Sequence, residues 1–128
     1  MKSLLVLRHA KSDHPFGVND FDRDLTERGR RDALRVGEVL LEQQLLPELI
    51  ITSAACRARS TTECVISGAS FAGSVKFTEE LYEAGTTQIL SVVQAVREDV
   101  SSVMVVGHNP GFWSVAHLFG GQIESFPT

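Results

Sequence analysis

The stretch Val103-Met104-Val105-Val106-Gly107-His108-Asn109-Pro110 changes character halfway along. Its first four residues are apolar without polar alternation, the pattern of a strand buried on both faces as in a parallel sheet. Asn109 is a good helix N-cap and Pro110 suits the first helical position, so Phe112, Val115, Ala116 and Phe119 are predicted to line a following helix. A buried strand that feeds directly into a helix is half of a β-α-β unit, and His108 stands at the junction.

The same pattern recurs upstream. Ser3 to Leu7 is a short run of Leu and Val, followed by a polar loop from Arg8 to Asp24 that holds Pro15, Gly17 and Asn19. From Thr26, a plausible N-cap, Ala33, Val36, Gly37, Leu40 and Leu41 recur at helical spacing, which predicts an amphipathic helix ending near Leu45. Leu49-Ile50-Ile51 reads as a second buried strand and Ala55 to about Ser67 as a second helix, with Gly68 as its stop. A weaker strand is predicted over Val75 to Phe77. Ile89, Val92, Val93 and Val96 then mark a third helix, with Asp99 near its end. Alternating strands and helices predict the α/β class, a three-layer α/β/α sandwich around a mainly parallel sheet.

At 128 residues, with 43% hydrophobic and 22% charged residues, the chain fits one domain, residues 1–128, able to bury a core without disulfide or metal. The net charge of −4, with no run of Lys and Arg interleaved with aromatics, argues against nucleic-acid binding. The longest apolar runs fall far short of the roughly 20 residues of a spanning helix, so no membrane association is expected. Lys2 is followed by too few apolar residues before Arg8 for a secretory signal. Cys56 and Cys64 do not form a CxxC pair or a disulfide framework, which points to a reducing cytoplasm.

In sheets of this class, ligands bind outside the carboxyl ends of the strands. Arg8-His9 leaves the first strand, Ser53 to Arg57 the second, and Gly107-His108-Asn109 the last, so all three meet at one edge. Arg8, Arg57, His9 and His108, joined by Arg23, make a local cationic cluster in an acidic chain, an anion site by charge. Planar guanidinium groups suit a phosphoryl group because they donate paired hydrogen bonds. A neutral imidazole can attack phosphorus while the arginines and the second histidine support the equatorial oxygens, so no metal is required.

These residues carry a resemblance. Leu5-Val6-Leu7-Arg8-His9-Ala10-Lys11-Ser12 resembles the Arg-His motif that opens the histidine phosphatase superfamily, also called phosphoglycerate-mutase-like. Asp24-Leu25-Thr26-Glu27-Arg28-Gly29 resembles its approach to the first helix. Thr52-Ser53 with Arg57-Ala58 and Thr61 resembles its second arginine box, and Val106-Gly107-His108-Asn109-Pro110-Gly111 its second histidine. The small size and the Gly-His-Asn-Pro-Gly form are similar to the SixA branch, assigned as phosphohistidine phosphatases. The resemblance implies a phosphoglycerate-mutase-like fold, His9 as nucleophile, Arg8 and Arg57 as clamps on the phosphoryl oxygens, His108 completing the pocket, and Arg23 as a phosphate contact. It implies no cofactor. The substrate would be a phosphohistidine protein, or else a small phosphorylated molecule.

Two departures are local: Ala10 stands where many members have glycine, and Asp24 where many SixA-like chains have proline. The proton donor is left open, because Glu79, Glu80 and Glu83 all follow the third strand and SixA-like members are thought to lack the acid. Two alternatives to a phosphohistidine phosphatase therefore stand: a phosphatase of a small monoester with one of these glutamates as general acid, and a non-catalytic phosphate-binding module. The chain is too short to build the closed cap expected of a mutase. Glu124 to Thr128 read as the approach to a further strand, so the chain is expected to be either a short member or cut short there.

Other chemistries fail on spacing. Asp20, Asp22 and Asp24 suggest a calcium loop, yet Leu25 and Arg31 occupy the positions that need glycine and a bidentate carboxylate. No Walker loop is present, and neither cysteine has an arginine six residues on. Zinc on His9 and His108 would be repelled by the adjacent arginines. His14, Arg59 and His117 lack a comparable setting, although the loop position of His14 leaves it within reach of a substrate.

Overall fold

A computed structural model describes residues 3–109 and 111–112. Four strands, β1 (Ser3–Arg8), β2 (Leu49–Ser53), β3 (Ser74–Thr78) and β4 (Ser102–Gly107), pair in parallel in the order β1-β4-β2-β3. Three helices, α1 (Glu27–Glu42), α2 (Cys56–Ala69) and α3 (Thr86–Gln94), connect them. The crossovers β1→β2 and β2→β3 step in one direction across the sheet and β3→β4 steps back. With right-handed connections this sends α1 and α2 to one face and α3 to the other.

The packing follows that topology. Met104 and Val106 of β4 join Ile50, Ala33, Ala58 and Val65 under α1 and α2. Val103 and Val105 turn the other way, onto Ile51, Ile89, Val93 and Phe112 beside α3. β4 lies between two strands and two layers, and Val103 to Gly107 are all buried. Its unbroken apolar run is the signature of that position.

Thr26 caps α1 as expected, its hydroxyl accepting from the Gly29 amide at 3.0 Å. Two helix ends differ from the sequence expectation. Gly68 does not stop α2; the helix runs to Ala69, and Ser70 takes the left-handed conformation at φ 52°. Gly68 and Gly37 instead let the backbones of α2 and α1 touch. A Cβ on Gly68 would stand 2.1 Å from the Leu34 carbonyl oxygen, and one on Gly37 2.1 Å from that of Val65. The third helix ends at Gln94 rather than near Asp99. Val96 and Val100 still pack on the core, which prolongs the apolar pattern beyond the helix itself. Beyond β4 the Phe112 amide donates to the His108 carbonyl at 3.2 Å, the first turn of the expected last helix. Val115, Ala116, His117 and Phe119 of that helix, and the segment from Glu124 to Thr128, lie outside the described residues.

Alanine in place of Gly68 gains about 1 kcal/mol of helix propensity but meets a backbone oxygen that cannot move without parting two helices. Gly68→Ala is therefore expected to destabilise the fold by about 1–3 kcal/mol, read as a lower urea midpoint at unchanged slope. An unchanged midpoint would mean that the helices are not in contact there.

Candidate functional site

Strand pairing sets the site. Arg8 of β1 pairs with Gly107 of β4, and the His9 amide donates to the Gly107 carbonyl at 2.8 Å, so the residues after each strand emerge side by side. The His9 and His108 rings are 5.2 Å apart between centroids. Thr61, in the second turn of α2, locks this exit: its hydroxyl accepts from the Ala10 amide at 2.9 Å and donates to the Arg57 carbonyl at 2.7 Å.

The partner of His9 defines its tautomer, and the partner of His108 defines where its ring lies. Nδ1 of His9 lies 2.7 Å from the carbonyl oxygen of Ala10. A carbonyl only accepts, so the neutral ring carries its proton on Nδ1 and its lone pair on Nε2. Nε2 of His108 lies 2.8 Å from Oγ of Ser53, which also accepts from the Ala55 amide. The Ser53 hydroxyl has one hydrogen to donate and a second lone pair to accept with, so this contact fixes the place of the His108 ring and not its tautomer.

Burial keeps both rings neutral. It pulls His9 down to about 4, helped by the charges of Arg57, Arg8 and Arg23 and opposed by the bond to Ala10. It pulls His108 down to about 3, with His9 and Arg57 acting the same way.

A cavity of about 510 Å³ opens at this edge, and its wall includes Asp20, Arg57, Glu83, His108 and the start of α3 at Gly85 and Thr86. Arg57 is only 5% exposed and His108 7%. Each keeps one buried nitrogen, Nε of Arg57 and Nδ1 of His108, that meets no partner among the described residues. Buried polar groups are almost always bonded in native proteins, so two orphaned nitrogens beside one cavity mark a place for the polar atoms of a ligand, an acceptor in the case of the Arg57 N–H. The uncapped N-terminus of α3 adds the positive end of a helix dipole to the wall.

Of the residues singled out in the sequence, the structure therefore brings Arg57, His9 and His108 together. Arg8 ends β1 and acts on His9 by charge. Arg23 stands apart from the cavity wall: its guanidinium donates to Asp20, to Ser12 at 3.0 Å and to the Asp13 carbonyl at 3.1 Å, and Nη1 lies 3.0 Å from Nδ1 of His14. Among the three candidate acids Glu83 lines the cavity, held at φ 53°, whereas Glu79 and Glu80 belong to the 3-10 turn before it.

Three site residues escaped the sequence. Asp20, read there only as part of an acidic run, accepts from Arg57, Arg23 and Tyr82. The Tyr82 ring stands edge-on to His108 at 5.6 Å. Ser53 was part of a motif without a role of its own. The one available signal was an acidic loop residue in a chain that otherwise collects arginines at this edge.

A sequence model of the histidine phosphatase superfamily (branch 1) matches residues 4–101, nearly the whole chain up to β4. The chain is 32% identical over 120 residues to an uncharacterized protein of Mycobacterium leprae, covering 91% of this chain and 72% of that one. It is 33% identical over 104 residues to one of Mycobacterium tuberculosis, covering 81% of this chain but only 63% of the relative's length. Among solved structures, a protein of Agrobacterium tumefaciens described as the putative phosphohistidine phosphatase SixA superposes with a TM-score of 0.83 at 33% identity, covering 91% of this chain and 76% of that one. The protein histidine phosphatase SixA complexed with tungstate superposes with a TM-score of 0.83 at 26% identity, covering 98% of this chain and 82% of that one.

The depressed histidines make stability fall with acid. An unfolded histidine titrates near 6.5, and these two titrate near 4 and 3 when folded. Between those values the unfolded chain binds more protons, so the two histidines cost no stability above about pH 6.5 and progressively more as the pH falls, down to about 4 for His9 and about 3 for His108. Thermal midpoints are expected to drop over that window in wild type and less steeply in His108→Gln. Equal slopes in the two proteins would show His108 to be solvated in the fold.

Proposed function

The chain belongs to the histidine phosphatase superfamily (branch 1), and from that premise we propose that it is a phosphatase acting through phosphorylated His9 on phosphohistidine in a protein, or on a related phosphoramidate. The observation that carries the reading is the fixed tautomer of His9, a neutral ring with Nδ1 tied to Ala10 and Nε2 bearing the lone pair. Nε2 attacks phosphorus, and a P–N bond forms as the bond to the leaving group breaks and takes its electron pair with it. A phosphohistidine whose distal ring nitrogen is protonated leaves as neutral imidazole, and an amine-type phosphoramidate already protonated on nitrogen leaves as the amine. Water then attacks phosphorus, the P–N electron pair returns to Nε2, and phosphate is released carrying the oxygen and the protons of the water.

In this reading the orphaned Nε of Arg57 and Nδ1 of His108 donate to equatorial oxygens, and Arg8 adds charge. A cytoplasmic setting belongs to the same reading, and so does independence of a metal: turnover is expected to survive EDTA. The described residues include no helix long and apolar enough to cross a membrane.

A second reading rests on Glu83. Its place in the cavity wall suits a general acid for an alkoxide, as a phosphatase of a small monoester would need. Steady-state turnover of phosphoramidate and of an alkyl phosphate tests both. The first reading expects the phosphoramidate to be preferred, His9→Ala to abolish turnover, and Arg57→Ala to cost about 2–4 kcal/mol of transition-state stabilisation. Strong alkyl phosphatase activity lost in Glu83→Gln would establish the second reading instead. Phosphate binding without turnover of either substrate would leave a binding module.

A further inference from the structure

We propose that Asp20 is the positioning residue of the phosphoryl site, holding Arg57 by one edge of its guanidinium so that the other edge is presented to the ligand. This rests on the phosphatase reading above and adds to it a residue outside the motifs that carry the family resemblance.

A guanidinium has two edges able to make paired bonds, the terminal one of Nη1 and Nη2 and the lateral one of Nε and Nη2. Asp20 occupies the terminal edge of Arg57. Its main-chain carbonyl accepts from Nη1 at 2.6 Å and its carboxylate Oδ2 from Nη2 at 3.0 Å. Nε, on the lateral edge, is the buried orphan. The carboxylate and the phosphoryl group therefore address different edges of one cation.

Asp20 is in turn held from two sides. Oδ1 accepts from Nε of Arg23 at 3.0 Å and Oδ2 from the Tyr82 hydroxyl at 2.5 Å. These bonds drive its carboxyl well below the usual carboxylate range and raise the Tyr82 hydroxyl to about 12, so both keep their charge states at neutral pH. Tyr82 packs edge-on against Phe21 at 5.0 Å and against His108 at 5.6 Å. One carboxylate thus ties the long loop after β1, the start of α2 and the turn after β3 to the same arginine. Arg23 is placed to act through Asp20.

The opposite role is conceivable for any carboxylate between two arginines: it could imitate the phosphoryl group and compete with it. The two roles differ in kinetics. A positioning residue raises kcat and favours the transition state, whereas a competitor raises KM alone.

The test measures phosphoramidate turnover in wild type, Asp20→Asn and Tyr82→Phe, with dissociation constants for orthovanadate and for phosphate and a thermal midpoint for each. Asp20→Asn is expected to lower kcat by about tenfold to a hundredfold and to weaken vanadate more than phosphate, with the midpoint nearly kept. Tyr82→Phe is expected to show a smaller loss in the same direction. Unchanged or higher kcat in Asp20→Asn, with lower KM and tighter phosphate, would overturn the proposal in favour of competition. Equal kcat and equal vanadate-to-phosphate ratios in an active wild type and both variants would also overturn it, while leaving the phosphatase reading intact. A wild type that neither turns over the phosphoramidate nor binds vanadate would remove that reading and this one together.

Discussion

The pairing of Arg8 with Gly107 across β1 and β4 is the constraint on which the site depends. Two parallel strands end at the same level, so the residues that follow them, His9 and His108, share one patch of the sheet edge. Sliding one strand by a single residue would move its exit by about 3.3 Å and turn every side chain to the opposite face. That slip is resisted from both layers, because Met104 and Val106 are committed to the α1 and α2 side and Val103 and Val105 to the α3 side. The core that stabilises the fold therefore also sets the distance between the two imidazoles.

Electrostatics complete the arrangement. A chain of net charge −4 gathers Arg8, Arg23 and Arg57 at one edge; burial keeps the two adjacent histidines neutral, helped by Arg57 and Arg23 at both rings and by Arg8 at His9. Asp20 offsets part of that charge without filling the lateral edge of Arg57. The result is a cavity walled in part by Arg57 and His108, each with a buried nitrogen left unpartnered among the described residues, and beside His108 the neutral ring of His9.

The sheet was legible because parallel strands covered on both faces need continuous apolar runs, and Val103 to Val106 and Leu49 to Ile51 have them. The placement of His9, Arg57 and His108 followed from strand exits alone. Gly68 was misread because a glycine near a helix end has two physical causes, a stop and a close backbone approach, and only the neighbouring helix distinguishes them. Asp20 and Tyr82 were not legible at all. Their contacts span 37 residues to Arg57 and 62 to one another, and no local periodicity reports such distances. Arg23 was legible as a cation of this edge, but its engagement with Asp20 was not.

The tautomer of His9 is the most exposed part of this account, and phosphorus NMR of the trapped phosphoenzyme addresses it directly. Protein mixed with phosphoramidate and denatured in alkali is expected to give one phosphohistidine signal, on Nε2 of residue 9. A phosphoryl group on Nδ1 of that ring, on His108, or on neither histidine during active turnover would contradict it.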